Sequence, residues 1–162
     1  MPTSAAGSKP RRHAAGRRRT AAFTLIELLV VMAIIALATA GVGLALRDTR
    51  QATLDREAER LAALFEAARA QSRASGTPVR WRLSETGFAF DGAEPGSLPD
   101  HWTADIQVLG VVANGQRVSA LLLGPEPIIA AQQVLLTDPQ VPARSVLVAT
   151  DGLRPFSVTA TP

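Results

Sequence analysis

The chain has 162 residues, enough for one domain and an anchor, and it contains no cysteine, which excludes both a disulfide framework and a thiolate metal site. Its formal net charge of +3 joins two unlike parts. Lys9, Arg11, Arg12, Arg17, Arg18 and Arg19 put six positive charges and no acid into the first 22 residues, whereas the remainder carries 11 arginines against 14 acids, a net of −3. The basicity therefore belongs to a leader, residues 1–22, and the body is mildly acidic.

A 24-residue apolar run follows, from Phe23 to Leu46, interrupted by one charge at Glu27. As a helix rising 1.5 Å per residue it is long enough to cross a bilayer. The positive-inside rule places the leader in the cytoplasm and everything after Leu46 on the far side. A carboxylate in hydrocarbon must be neutralised, find a cation or reach the interface, so Glu27 needs a reason to be there. Ala38-Thr39-Ala40 also fits the cut site of an ordinary secretory signal, which would release a chain starting at Gly41. That reading leaves Glu27 inside the signal's apolar core and the apolar run continuing past the cut. A plain single-span anchor explains the length but not the placement of Glu27.

Residues 47–76 predict an amphipathic helix. Leu54, Ala58, Leu61, Phe65, Ala68 and Ser72 recur at alternating steps of four and three, forming one narrow face. Asp55, Arg56, Glu59, Arg60, Glu66, Arg69 and Arg73 cover the solvated remainder, with Arg56–Glu59, Glu57–Arg60 and Glu66–Arg69 at i,i+3 spacing. Gly76 and Pro78 end the helix. Gly41 and Gly43 mark where it is weakest as it leaves the bilayer.

From residue 77 to 162 the pattern is that of strands. Val79, Trp81 and Leu83 alternate with Arg80, Arg82 and Ser84, and Phe88 and Phe90 follow across a turn, predicting a hairpin with its aromatics buried. Residues 91–104 read as a loop. Ile106–Val112 and Val118–Leu123 are predicted strands joined by Asn114-Gly115, a type I′ hairpin signal. Ile128–Leu136 predicts another strand. Ser145–Thr150 and Phe156–Thr161 flank a further turn at residues 151–155. The fold class is α+β, a helical spine packed on antiparallel sheet.

The body offers little chemistry. His101 is a lone loop histidine with no nucleophile motif nearby. Asp91, Glu94, Asp100 and Asp105 have spacing unlike a calcium loop. Arg80-Trp81-Arg82 looks like an aromatic-basic patch, but alternation puts Trp81 on the face opposite both arginines, as a core residue. Neither a cofactor nor a metal is expected, nor catalysis.

Phe23-Thr24-Leu25-Ile26-Glu27 ahead of a long apolar helix resembles the signal of type IV pilins and type II secretion pseudopilins. The resemblance implies cleavage by a prepilin peptidase between Ala22 and Phe23, N-methylation of Phe23, and an assembly role for Glu27. Ala22 departs from the glycine that the family nearly always carries before the cut. Leu54–Thr77 with Pro78-Val79-Arg80-Trp81, and Ser145–Gly152 with Pro155–Val158, resemble the H-type minor pseudopilins (the GspH/FimT family). That branch implies a low-copy subunit near the tip of a short periplasmic pseudopilus. Its partners would be other minor and major pseudopilins, the prepilin peptidase, the inner-membrane secretion platform and, before assembly, the lipid bilayer. It implies a single-pass inner-membrane protein with a periplasmic C-terminal domain. A FimT-like minor pilin serving pilus assembly or DNA uptake shares the profile. Phosphate binding needs clustered cations, and residues 103–162 have only Arg117, Arg144 and Arg154 against Asp105, Glu126, Asp138 and Asp151. A membrane-anchored periplasmic binding domain, which would keep its leader unmethylated, is the alternative of a different class.

Overall fold

The seam at 54–72 organises everything that follows it. In the computed structural model, which describes residues 23–161, a single α-helix, α1, runs Leu25–Ser75. It is continuous through Gly41 and Gly43. The chain divides between Thr39 and Ala40 into two units, each described by itself below. α1 stops where the residues require: Gly76 takes φ 67°, a left-handed conformation that glycine adopts without penalty, and the Ser72 hydroxyl donates to the Thr77 carbonyl at 2.6 Å.

Eight antiparallel strands complete the unit that begins at Ala40. They are β1 (Arg80–Leu83), β2 (Phe88–Asp91), β3 (Gln107–Ala113), β4 (Gln116–Arg117), β5 (Ala120–Leu122), β6 (Gln132–Thr137), β7 (Ser145–Thr150) and β8 (Ser157–Thr161). They form a three-stranded sheet, β2-β1-β5, and a five-stranded sheet, β4-β3-β6-β7-β8. The architecture is α+β, a long N-terminal helix with antiparallel sheets, as expected.

All six seam residues are buried, together with Val79, Trp81, Leu121, Leu123, Val134, Leu136, Val146 and Val148. Phe65 sits where the sheets meet. Its ring lies 5.3 Å from Trp81 of β1 in an edge-on contact and 4.7 Å from Phe156, which precedes β8. Such pairs add to the area term, so this one side chain links α1 to the three-stranded sheet and to the connection that leads into β8. In β6 and β7, Val134, Leu136, Val146 and Val148 alternate inward as a half-buried sheet requires.

The structure corrects several local expectations. Arg69 is buried rather than solvated: its guanidinium donates to Glu66 at 3.0 Å and to the Pro127 carbonyl at 3.4 Å. Glu57 is buried too, pairing with Arg60 at 3.2 Å and accepting the Thr103 hydroxyl. The Arg56–Glu59 pair does not form, because Arg56 turns back to the Ala52 carbonyl and the Thr53 hydroxyl. Leu83 is exposed although it shares a face with Trp81, since β5 pairs only with Arg80–Arg82 and nothing covers the last residue of β1. Asn114 and Gly115 both have positive φ, 51° and 76°, as a type I′ turn demands. The hairpin they close is short, however. β4 holds two residues, and β5 leaves to pair with β1 so that Leu121 can enter the core beside Trp81. The strand predicted over 128–136 begins later than expected, at Gln132.

The 151–155 turn forms between β7 and β8. The Asp151 carboxylate accepts the backbone N–H groups of Leu153 and Arg154 at 2.9 and 2.8 Å. Those N–H groups, Arg154's foremost, hold its carboxyl below the usual range because they favour the charged form.

Candidate processing and assembly site

The first turn of α1 is built by its own sequence. Thr24 is the N-cap: its Oγ1 accepts the Glu27 backbone N–H at 3.3 Å, and its carbonyl accepts the Leu28 N–H at 3.2 Å. Glu27 thereby occupies the third helical position, giving the threonine-x-x-glutamate spacing of a capping box. An acid there also faces the positive end of the helix dipole, so one residue serves the local fold whatever else it does. Thr24 was missed as a functional position, and this spacing is the signal that would have found it.

The side chains beyond are unpartnered on every side. Leu25 is 79% exposed, Leu37 78% and Phe23 71%, and residues 25–43 are exposed throughout. A helix that is apolar all round requires hydrocarbon or other helices as its surroundings, since water would penalise each side chain. The one hydroxyl in the middle of the run is satisfied internally, Thr39 Oγ1 donating to the Ile35 carbonyl at 2.9 Å. By length and composition α1 is able to cross a membrane.

The structure places Phe23 at the exposed start of this helix and Glu27 one turn along, also exposed. Ala22 and the leader arginines lie outside the described residues. The other candidates scatter. His101 is exposed, its Nδ1 3.1 Å from Asp100 Oδ1. Asp91 is held by Arg82 through contacts of 2.7 and 3.3 Å, an interaction that raises the Arg82 pKa. Asp91, Glu94, Asp100 and Asp105 do not gather into a metal-binding group among the described residues. Trp81 is fully buried between exposed Arg80 and Arg82.

Residues 17–43 match the prokaryotic N-terminal methylation motif. The chain thus carries a type IV pilin-like prepilin signal, and the matched segment spans Arg17–Arg19 of the leader, the Ala22–Phe23 junction, Glu27 and most of the apolar run. No curated protein and no solved structure matches the chain.

Proposed function

We propose that the chain is a minor pseudopilin of a type II secretion system, a structural subunit near the tip of the periplasmic pseudopilus that supports export of folded proteins across the outer membrane. The carrying observation is the methylation motif set directly on one unbroken helix that runs from an apolar, unpartnered half into the buried seam of a β domain. On this reading the peptidase cuts between Ala22 and Phe23 and methylates Phe23. Glu27 receives an amino terminus during assembly, and α1 hands over from bilayer to filament core. The protein then works by packing, not catalysis, in the inner membrane and periplasm. Its partners are the other pseudopilins and the secretion platform.

Charge pairing supports secretion over nucleic-acid uptake. In the C-terminal half, Arg144 is bound to Asp55 at 3.0 Å and Arg154 lies 3.8 Å from Asp151. Of the three arginines beyond residue 102, this leaves Arg117 alone without an ion pair among the described residues, far short of a phosphate-binding cluster there. A strain lacking the gene should retain exported proteins in its periplasm while surface motility and transformation stay normal. Normal export with lost pili or lost transformation would transfer the assignment to a FimT-like minor pilin. Retention of the leader would favour a membrane-anchored binding domain.

A further inference from the structure

Where the apolar run ends, the β domain brings a loop against α1. Residues 138–144 connect β6 to β7, and they are tied to the first polar turns of the helix. Arg50 Nη1 meets Asp138 Oδ2 at 3.4 Å, and Arg144 donates to both Asp55 oxygens at 3.1 and 3.0 Å and to Gln51 Oε1 at 2.9 Å. Inside the loop, the Gln140 N–H donates to Asp138 Oδ1 at 2.8 Å and the Val141 N–H to the Asp138 carbonyl at 3.0 Å. The tip is thereby fixed, yet what it presents is apolar: Pro142 and Ala143 are exposed and Val141 half-buried. A groove of about 420 Å³ separates this tip from Gly43, Leu46 and Arg47.

Two or three exposed apolar side chains are ordinary on a protein surface and call for no explanation by themselves. Their position is what distinguishes these. A helical run of 24 residues is about 36 Å long, against about 30 Å of bilayer hydrocarbon, so Leu46 and the turn after it meet the headgroups. Whatever packs beside that turn lies at the same depth. Charge points the same way. Arg50 and Arg144 are neutralised by carboxylates, but Arg47, on the groove, is exposed and has no ion pair among the described residues. Asp48 is about 100° further round the helix and does not line the groove.

We infer that the 139–143 loop, with Leu46 and Arg47, forms a foot that rests on the phospholipid headgroup layer while the chain is held in the bilayer. Val141 and Pro142 enter the interface and Arg47 pairs with lipid phosphate. The salt bridges at Arg50 and Arg144 keep the loop beside the turn of α1 that follows Leu46. This rests on reading residues 23–46 as a membrane span.

The absence of cysteine makes single-site labelling direct. Full-length Pro142→Cys and Glu94→Cys proteins, each carrying one environment-sensitive fluorophore, are reconstituted at low density in phosphatidylethanolamine–phosphatidylglycerol vesicles. Glu94 borders Gln71 and Ser75 of α1, 25 residues or more beyond Leu46, about 37 Å along the helix. A headgroup nitroxide lipid should quench the Pro142 label several-fold more than the Glu94 label, and aqueous iodide should show the reverse order. Arg47→Glu should bring the Pro142 label towards the Glu94 value; no change would overturn the phosphate contact. Equal quenching at the two positions in protein that floats with the vesicles would overturn the foot and leave the span intact. Protection of the Pro142 label that appears only at high protein density would also overturn it, by making a second copy the occupant. Protein that fails to float would overturn the span and the foot together.

Discussion

Glu27 carries two demands at one position. As the third residue of α1 it suits the helix start, and as a carboxylate on an apolar helix it needs a cation. Cleavage before Phe23 would create an α-amino group with a reference pKa near 8, largely protonated at neutral pH and one turn away. An incoming subunit would present the same group to a Glu27 already in place. Burying both charges as a pair is satisfied at one axial offset between neighbouring helices, which makes the pair a register device. On the proposed pseudopilin reading, Glu27→Leu should be processed and inserted normally but fail to crosslink to neighbouring filament subunits, with export lost. Normal incorporation would leave Glu27 a headgroup-seeking residue. At this scale the seam was fully legible, because spacing alone decides which side chains share a helix face. Arg69 and Glu57 were not: their burial comes from Pro127 and Thr103, 58 and 46 residues away, which no i,i+3 pattern reports.

Strands were legible as elements because alternation exposes one face and buries the other. Their partners were less so. The turn at Asn114-Gly115 was readable from two residues, but the departure of β5 to the other sheet depends on Leu121 meeting Trp81 across 40 positions of chain. Packing of α1 on the sheets hinges on Phe65. In a fragment beginning near residue 48, Phe65→Ala should lower unfolding free energy by about 3–5 kcal/mol, since it removes a fully buried ring packed on Trp81 and Phe156. An unchanged melting temperature would show that the seam faces a partner or solvent instead. The clamp between the 138–144 loop and α1 is the second element-level contact. Its Arg144–Asp55 pair is 30% and 40% exposed, so solvent screens it. A double-mutant cycle on Arg144→Ala and Asp55→Ala should give a coupling of about 0.5–1 kcal/mol. Zero coupling would mean that the loop is held by Gln51, the Arg50–Asp138 pair and its own turn.

For the molecule as a whole, solvent divides the chain: an apolar half-helix suited to lipid or other helices, and a domain with its own buried core. Removing residues 1–47 should leave a soluble monomer by sedimentation, because the large apolar side chains exposed on α1 all lie between Leu25 and Leu46. Aggregation of that fragment would show that the domain's own surface needs a partner. Processing as a prepilin is tested by the intact mass and N-terminal sequence of the protein isolated from its native envelope. The expected chain begins at N-methyl-Phe23. A chain beginning at Gly41, or one that keeps its leader, would contradict it.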